Sequence, residues 1–160
     1  MQSRNLEPYE LNIALEWYQY GLKNDDDCFI KFMAHWLAFN WLYSKCGKEY
    51  ESENIQCFCM DNMRILLTFD AFNTDEIKIF EQEPVMDGKT AQVEVYQKKR
   101  FVGVNYKDTE SLIMTLYQVR CNLFHGSKSL HIQRDIDLVK ASSVILEGYL
   151  YALLKNTNIK

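Results

Sequence analysis

Chain breakers are scarce. There are two prolines, Pro8 and Pro84, and six glycines in 160 residues. A β-sandwich of this length would need many more turn signals, so the scarcity favours long helices. There is also no surplus of positive charge, since the formal net charge is −4. A protein that coats duplex nucleic acid through a broad basic face is therefore not expected, although a small basic pocket on an acidic surface is compatible with this balance. No apolar run reaches the roughly 18 residues that span a bilayer. The richest stretch, Phe29 to Tyr43, is interrupted by Lys31, His35 and Asn40, and it reads as a buried helix of a soluble domain.

The five cysteines, Cys28, Cys46, Cys57, Cys59 and Cys121, are odd in number and lack zinc-knuckle spacing, since Cys57 and Cys59 lie only two apart. No secretory signal precedes them. They are expected to be reduced, mostly buried thiols in a reducing cytoplasm. No metal and no cofactor is expected. The adjacent Asp25, Asp26 and Asp27 read as a helix cap rather than a cation site.

What is present is helical periodicity. Apolar composition of 48% with 25% charge fits one globular domain over residues 1–160. The spacing predicts helices at Pro8–Leu22, ended by Gly21 and the following Asn24 and acids; at Asp27–Lys45, buried on most sides and stopped by Cys46-Gly47; and at Ser52–Phe69, with Ser52 as cap. Further helices are predicted at Thr74–Phe80 with Thr74 as cap, at Asp108–His125 terminated by Gly126, and at Ser129–Leu154. Residues 84–107, with Pro84, Asp87-Gly88, Gly103 and β-leaning valines, read as a long loop or a small hairpin insertion before the fifth of these helices. The fold class is all-α.

The most informative stretch is Tyr117-Gln118-Val119-Arg120-Cys121-Asn122-Leu123-Phe124-His125-Gly126. A histidine that titrates near neutrality can pass protons, and an arginine can grip phosphate oxygens with its planar fork. The pair suits phosphodiester cleavage, and RNA carries its own nucleophile, the 2′-hydroxyl. On one helix, however, residues five apart lie about 7–8 Å apart along the axis and roughly 140° apart around it. They converge more easily if His125 sits at a fraying helix end, or if a second copy of the helix lies across a two-fold axis. Arg120 could equally pair with an acid such as Glu110 or Asp135.

These residues, together with Trp36-Leu37-Ala38-Phe39-Asn40-Trp41-Leu42-Tyr43, resemble HEPN domains (higher eukaryotes and prokaryotes nucleotide-binding). That family carries Arg, four to six residues, then His on a late helix, and a buried helix with a central Asn. Where many members place Asn directly after the Arg, this chain has Cys121, with Asn122 one later. The resemblance implies a bundle of about five to six helices that dimerises, so that two motifs line a shared cleft. It implies a metal-independent ribonuclease of toxin or defence type, with Arg120 and His125 catalytic and Asn122 and Asn40 supporting. RNA and a second copy of the chain are the expected partners, with an antitoxin or similar protein covering the cleft as a further one. The competing expectations are a non-catalytic module that binds RNA, nucleotide or protein, and a purely structural dimerisation domain.

Lys98, Lys99 and Arg100, beside Tyr96 and Phe101, together with Lys128, are candidates for holding RNA by charge and stacking, against a solvated loop as the plainer reading. His35, His125 and His131 are spread too far in sequence to form a metal motif. Asn40, a polar amide on an apolar helix, must be hydrogen-bonded if buried, either to support the Arg120 site or simply to a neighbouring backbone group.

Overall fold

The computed structural model describes residues 8–82, 85, 109–126 and 129–155. These residues form six α-helices and two 3-10 turns, with no strand among them. The helices are α1 (Pro8–Lys23), α2 (Cys28–Tyr43), α3 (Glu51–Leu66), α4 (Glu76–Gln82), α5 (Thr109–Phe124) and α6 (Gln133–Leu154). The insertion expected at 84–107 lies outside the described residues except for Val85, which is buried in the core. No described helix is long and apolar enough to cross a membrane.

α2 is the centre of the bundle, packed between α1 and α6. Asp27 starts it with extended backbone, its carboxylate accepting from the Phe29 and Ile30 amides at 3.0 Å. Such a cap contributes about 1 kcal/mol. Ser44–Cys46 then tightens into a 3-10 turn, and Gly47 turns the chain at φ 68°, a left-handed geometry that favours glycine. Inside the bundle, Trp36 meets the rings of Phe32, Phe39, Tyr43 and Tyr117 at centroid distances of 5.6–6.2 Å.

α2 is buried on most sides, with Lys31, Phe32, Ala34, His35, Trp36, Ala38, Phe39, Leu42 and Tyr43 all enclosed. Ile30 and Leu37 on its outer face are exposed. α1 and α6 pack against its other faces, so these two apolar side chains are left at the surface.

The polar interruptions of α2 are resolved individually. Lys31 is buried and ion-paired to Asp25 and, at 2.6 Å, to Glu147 on α6. His35 is fully buried and stacks on Tyr18 with ring centroids 5.2 Å apart. Its Nε2 lies 3.2 Å from the Tyr18 carbonyl oxygen. Gly21 lies inside α1 rather than ending it. A Cβ there would come within 2.3 Å of the His35 ring, so the glycine is needed for close approach, not for termination.

Other boundaries shift for local reasons. The Thr74 hydroxyl donates back to the Ala71 carbonyl at 2.7 Å, closing the turn Ala71–Asn73 instead of capping α4. The Thr68 hydroxyl donates to the Ile65 carbonyl at 2.7 Å, just past the end of α3. α3 itself begins at Glu51, one residue before the expected cap Ser52. Residues 129–132 precede α6 because their polar groups are satisfied locally: the Asp135 carboxylate accepts from the Ser129 amide at 2.9 Å, and Ser129 Oγ accepts from the His131 amide at 3.1 Å. Short polar side chains commonly compete with helix hydrogen bonds in this way.

α5 carries the Arg–His motif and is anchored deeply. Ser111, Leu112, Ile113, Met114, Thr115 and Leu116 are all buried, so its first half is held rigidly. Its C-terminal end emerges toward solvent, where Gly126 stops it at φ 69° with its amide donating to the Leu123 carbonyl at 3.1 Å.

Candidate functional site

Three elements meet around Arg120. α5 supplies the guanidinium, the first turn of α3 supplies Glu51, and the last turn of α2 supplies Tyr43 and Asn40. Arg120 Nη1 donates to Glu51 Oε2 at 3.1 Å. Tyr43 Oη donates to Glu51 Oε1 at 2.5 Å and accepts from the Asn40 amide at 2.6 Å. The Asn40 amide also lies 3.5 Å from Glu51 Oε1, at the limit of a hydrogen bond. The chain of donors thus runs from Asn40 through Tyr43 to a carboxylate shared with Arg120.

The arrangement is electrostatically self-consistent. Burial pushes the Tyr43 phenol far above its ordinary value of 10.0, and the hydrogen bond to Glu51 pushes it the same way. Tyr43 therefore stays a proton donor at physiological pH. Arg120 and Glu51 are 22% and 28% exposed, so the pair is open to solvent on one side. The guanidinium carbon lies 4.5 Å from the Phe124 ring centroid, a cation–π distance. Arg120 Nε is buried and has no hydrogen-bond partner. Glu51 takes one edge of the fork, which leaves donors for another acceptor.

His125 lies one residue beyond α5, exposed, its amide donating to the Cys121 carbonyl at 3.0 Å. Among the described residues no hydrogen bond or ion pair joins it to Arg120. Within one chain, then, Asn40 is linked to Arg120 through Tyr43 and Glu51, but His125 is not brought to the same cluster. Asn122 is buried and its Oδ1 accepts from Gln118 Nε2 at 3.0 Å, a contact along α5 itself. His131 is exposed in the turn before α6. Lys98, Lys99, Arg100 and Lys128 lie outside the described residues.

The acid that engages Arg120 is neither Glu110 nor Asp135. Glu110 accepts from Gln56 at 3.1 Å, and Asp135 closes the turn before α6. Glu51 was not visible from sequence because it lies 69 positions away from Arg120. The signal that could have found it is a carboxylate in the first turn of the helix that follows α2.

Beside the motif lies an apolar groove of about 390 Å³, lined among others by Trp17 and Tyr20 of α1, Ile30 and Leu37 of α2, and Leu123 and Leu130 flanking His125.

The cysteines also depart from expectation. All five are free, but only Cys59 is buried. The neighbour of Cys57 is Cys46, not Cys59. These two sulfurs and an Asp61 carboxylate oxygen lie within 4.8 Å of one another, a grouping that sequence spacing alone did not reveal.

No protein-family model, curated protein or solved structure matches the chain. The resemblance to HEPN domains rests on residues 36–43 and 117–128 themselves.

Proposed function

We propose that the chain is a metal-independent endoribonuclease of HEPN type, working as a homodimer in the cytoplasm. The supporting observation is the anchored Arg120, cross-braced by Glu51, Tyr43 and Asn40, on the same helix whose exposed end presents His125. Arg120 would hold a non-bridging phosphate oxygen through its remaining donors, and His125 would transfer protons. The 2′-oxygen bonds to phosphorus as its proton leaves to a base, and the bond to the 5′-oxygen breaks as that oxygen is protonated. The products are a 2′,3′-cyclic phosphate and a 5′-hydroxyl.

A second copy makes this geometry workable. The groove between α1, α2 and the end of α5 is apolar and flanks His125 on both sides in sequence. A two-fold contact there would hide Ile30, Leu37, Leu123 and Leu130 and bring two motifs together. A symmetric pair would supply two histidines, one to take a proton and one to give it. The five free thiols suit a reducing cytoplasm.

The second reading is a non-catalytic module that binds RNA, nucleotide or a partner protein such as an antitoxin. It is favoured by the Glu51 carboxylate, which already neutralises part of Arg120. RNA cleavage by the purified protein in EDTA, beside Arg120→Ala and His125→Ala, separates the two. Cleavage abolished in both variants, with circular dichroism unchanged, supports the nuclease. RNA binding without cleavage, lost in Arg120→Ala, supports the binding module.

A further inference from the structure

We infer that Cys46, Cys57 and Asp61 form a binding site for a thiolate-preferring dication of the Zn²⁺ class. The site is built by two adjacent elements. Gly47, at φ 68°, turns the chain after the 3-10 turn Ser44–Cys46, so that α3 runs back past Cys46. Cys57 and Asp61 are four residues apart on α3 and so share one face of it. Their side chains already touch, with Cys57 Sγ 3.9 Å from Asp61 Oδ2.

The spacing fits the metal. The three ligand atoms lie within 4.8 Å of one another. Tetrahedral zinc, with Zn–S near 2.3 Å and Zn–O near 2.0–2.2 Å, requires ligand atoms about 3.5–3.8 Å apart. Side-chain shifts of roughly 1 Å would therefore close the site around an ion. Two sulfurs and one carboxylate leave a fourth position for water, and Asp61 is exposed, so the ion has a way in. The donor set also selects the class of ion: soft thiolates disfavour Mg²⁺ and Ca²⁺ and favour Zn²⁺.

The electrostatics agree with the geometry. Burial, with the hydrogen bond that the Cys46 thiol donates to Cys57 second, pushes the Cys46 thiol up to about 12. Without a cation the Cys46 sulfur stays protonated. A dication reverses that preference and takes up the thiolates directly. Binding of the ion would release up to two protons, and affinity should fall steeply as pH is lowered. None of these residues belongs to the Arg120–Glu51 cluster, and the inference stands apart from the ribonuclease reading. The same helix carries Glu51, however, so the ion would staple Ser44–Cys46 to the element that braces Arg120.

The test is a titration of the reduced protein with Co²⁺, followed by the thiolate-to-metal charge-transfer absorption, with Zn²⁺ as competitor. One Co²⁺ per chain is expected, displaced by Zn²⁺. The band should vanish in Cys46→Ser and Cys57→Ser. In Asp61→Asn the affinity should drop by no less than the roughly 10–100-fold typical of outer-shell partners. Circular dichroism of each metal-free variant controls for folding. Absence of the band, equal binding by all variants, or loss of two thiols to a disulfide in air with Asp61 irrelevant would each overturn the inference.

Discussion

The two ends of α2 handle polarity in opposite ways. At its N-terminal half, Lys31 and His35 are buried and matched individually, by Asp25 and Glu147 and by the face and carbonyl of Tyr18. At its C-terminal end, Asn40 and Tyr43 share one carboxylate with Arg120, in a cluster that still faces solvent. The first arrangement lies inside the core, and the second stays partly open to solvent. The histidines divide in the same way: His35 is enclosed, whereas His125 is exposed at the end of α5. A histidine's sequence context of aromatic neighbours therefore says less about function than whether its nitrogens can reach solvent.

The largest effect should come from the site end. His125→Ala should lower RNA cleavage by about 10²–10⁴-fold, the range for loss of a general acid or base, with the melting temperature almost unchanged. His35→Ala should do the reverse, lowering stability by about 2–4 kcal/mol through the cavity and the lost stacking. Paired cleavage assays and thermal melts on the two variants test the division directly. If His35→Ala lost cleavage while staying folded, the contrast between the two ends would collapse.

The core end can be probed further through Gly21. Alanine normally favours a helix interior over glycine by about 1 kcal/mol. Here the added methyl would meet the His35 ring at 2.3 Å, and forcing it in should cost about 1–3 kcal/mol. Gly21→Ala should therefore lower the urea midpoint, against its helix propensity. A raised midpoint would show that the His35 ring moves freely and is not fixed by Tyr18.

Acid should act on the same residue. Burial holds the His35 imidazole below its ordinary 6.5, against the opposing pull of Glu147. The unfolded chain takes up a proton as pH falls below about 6.5 while the folded chain resists it. Stability is thus fully present above that value and declines below it until His35 itself protonates in the fold. One proton sets a slope no steeper than about 1.4 kcal/mol per pH unit. Urea unfolding across pH 5–8 (roughly, the range that brackets the histidine value) should show this limb in the wild type and a flatter one in His35→Gln.

The sequence was most readable where a physical signal is local. The apolar stripes of α1, α2, α5 and α6 placed those helices within a few residues, and Asp27 caps α2 as its type and position indicate. Boundaries failed where Thr68, Thr74 and Asp135 bonded to nearby backbone or turn groups, a choice that composition does not display. The site was half legible. Arg120, His125 and Asn40 stand out as residues, but their grouping depends on Glu51 and Tyr43, brought in by tertiary packing. The Cys46–Cys57–Asp61 cluster was hidden for the same reason, since its spacing spans two elements.

The smallest effect separates the two functional readings most finely. Glu51→Gln keeps an oxygen to accept from Tyr43 but removes the charge paired with Arg120. If Arg120 is a phosphate ligand, Glu51 competes with the phosphate. Its removal should then tighten single-stranded RNA binding by about fivefold, the equivalent of roughly 1 kcal/mol for a unit charge near 4 Å in water, and steepen the salt dependence. If Arg120 only ties α5 to α3, RNA affinity should not change, and the variant should lose about 1 kcal/mol of stability or less from a partly exposed pair. Fluorescence anisotropy with a labelled RNA at two salt concentrations, alongside a thermal melt, reads both quantities. Tighter binding with slower cleavage would add that Glu51 orients the arginine for chemistry while restraining its grip.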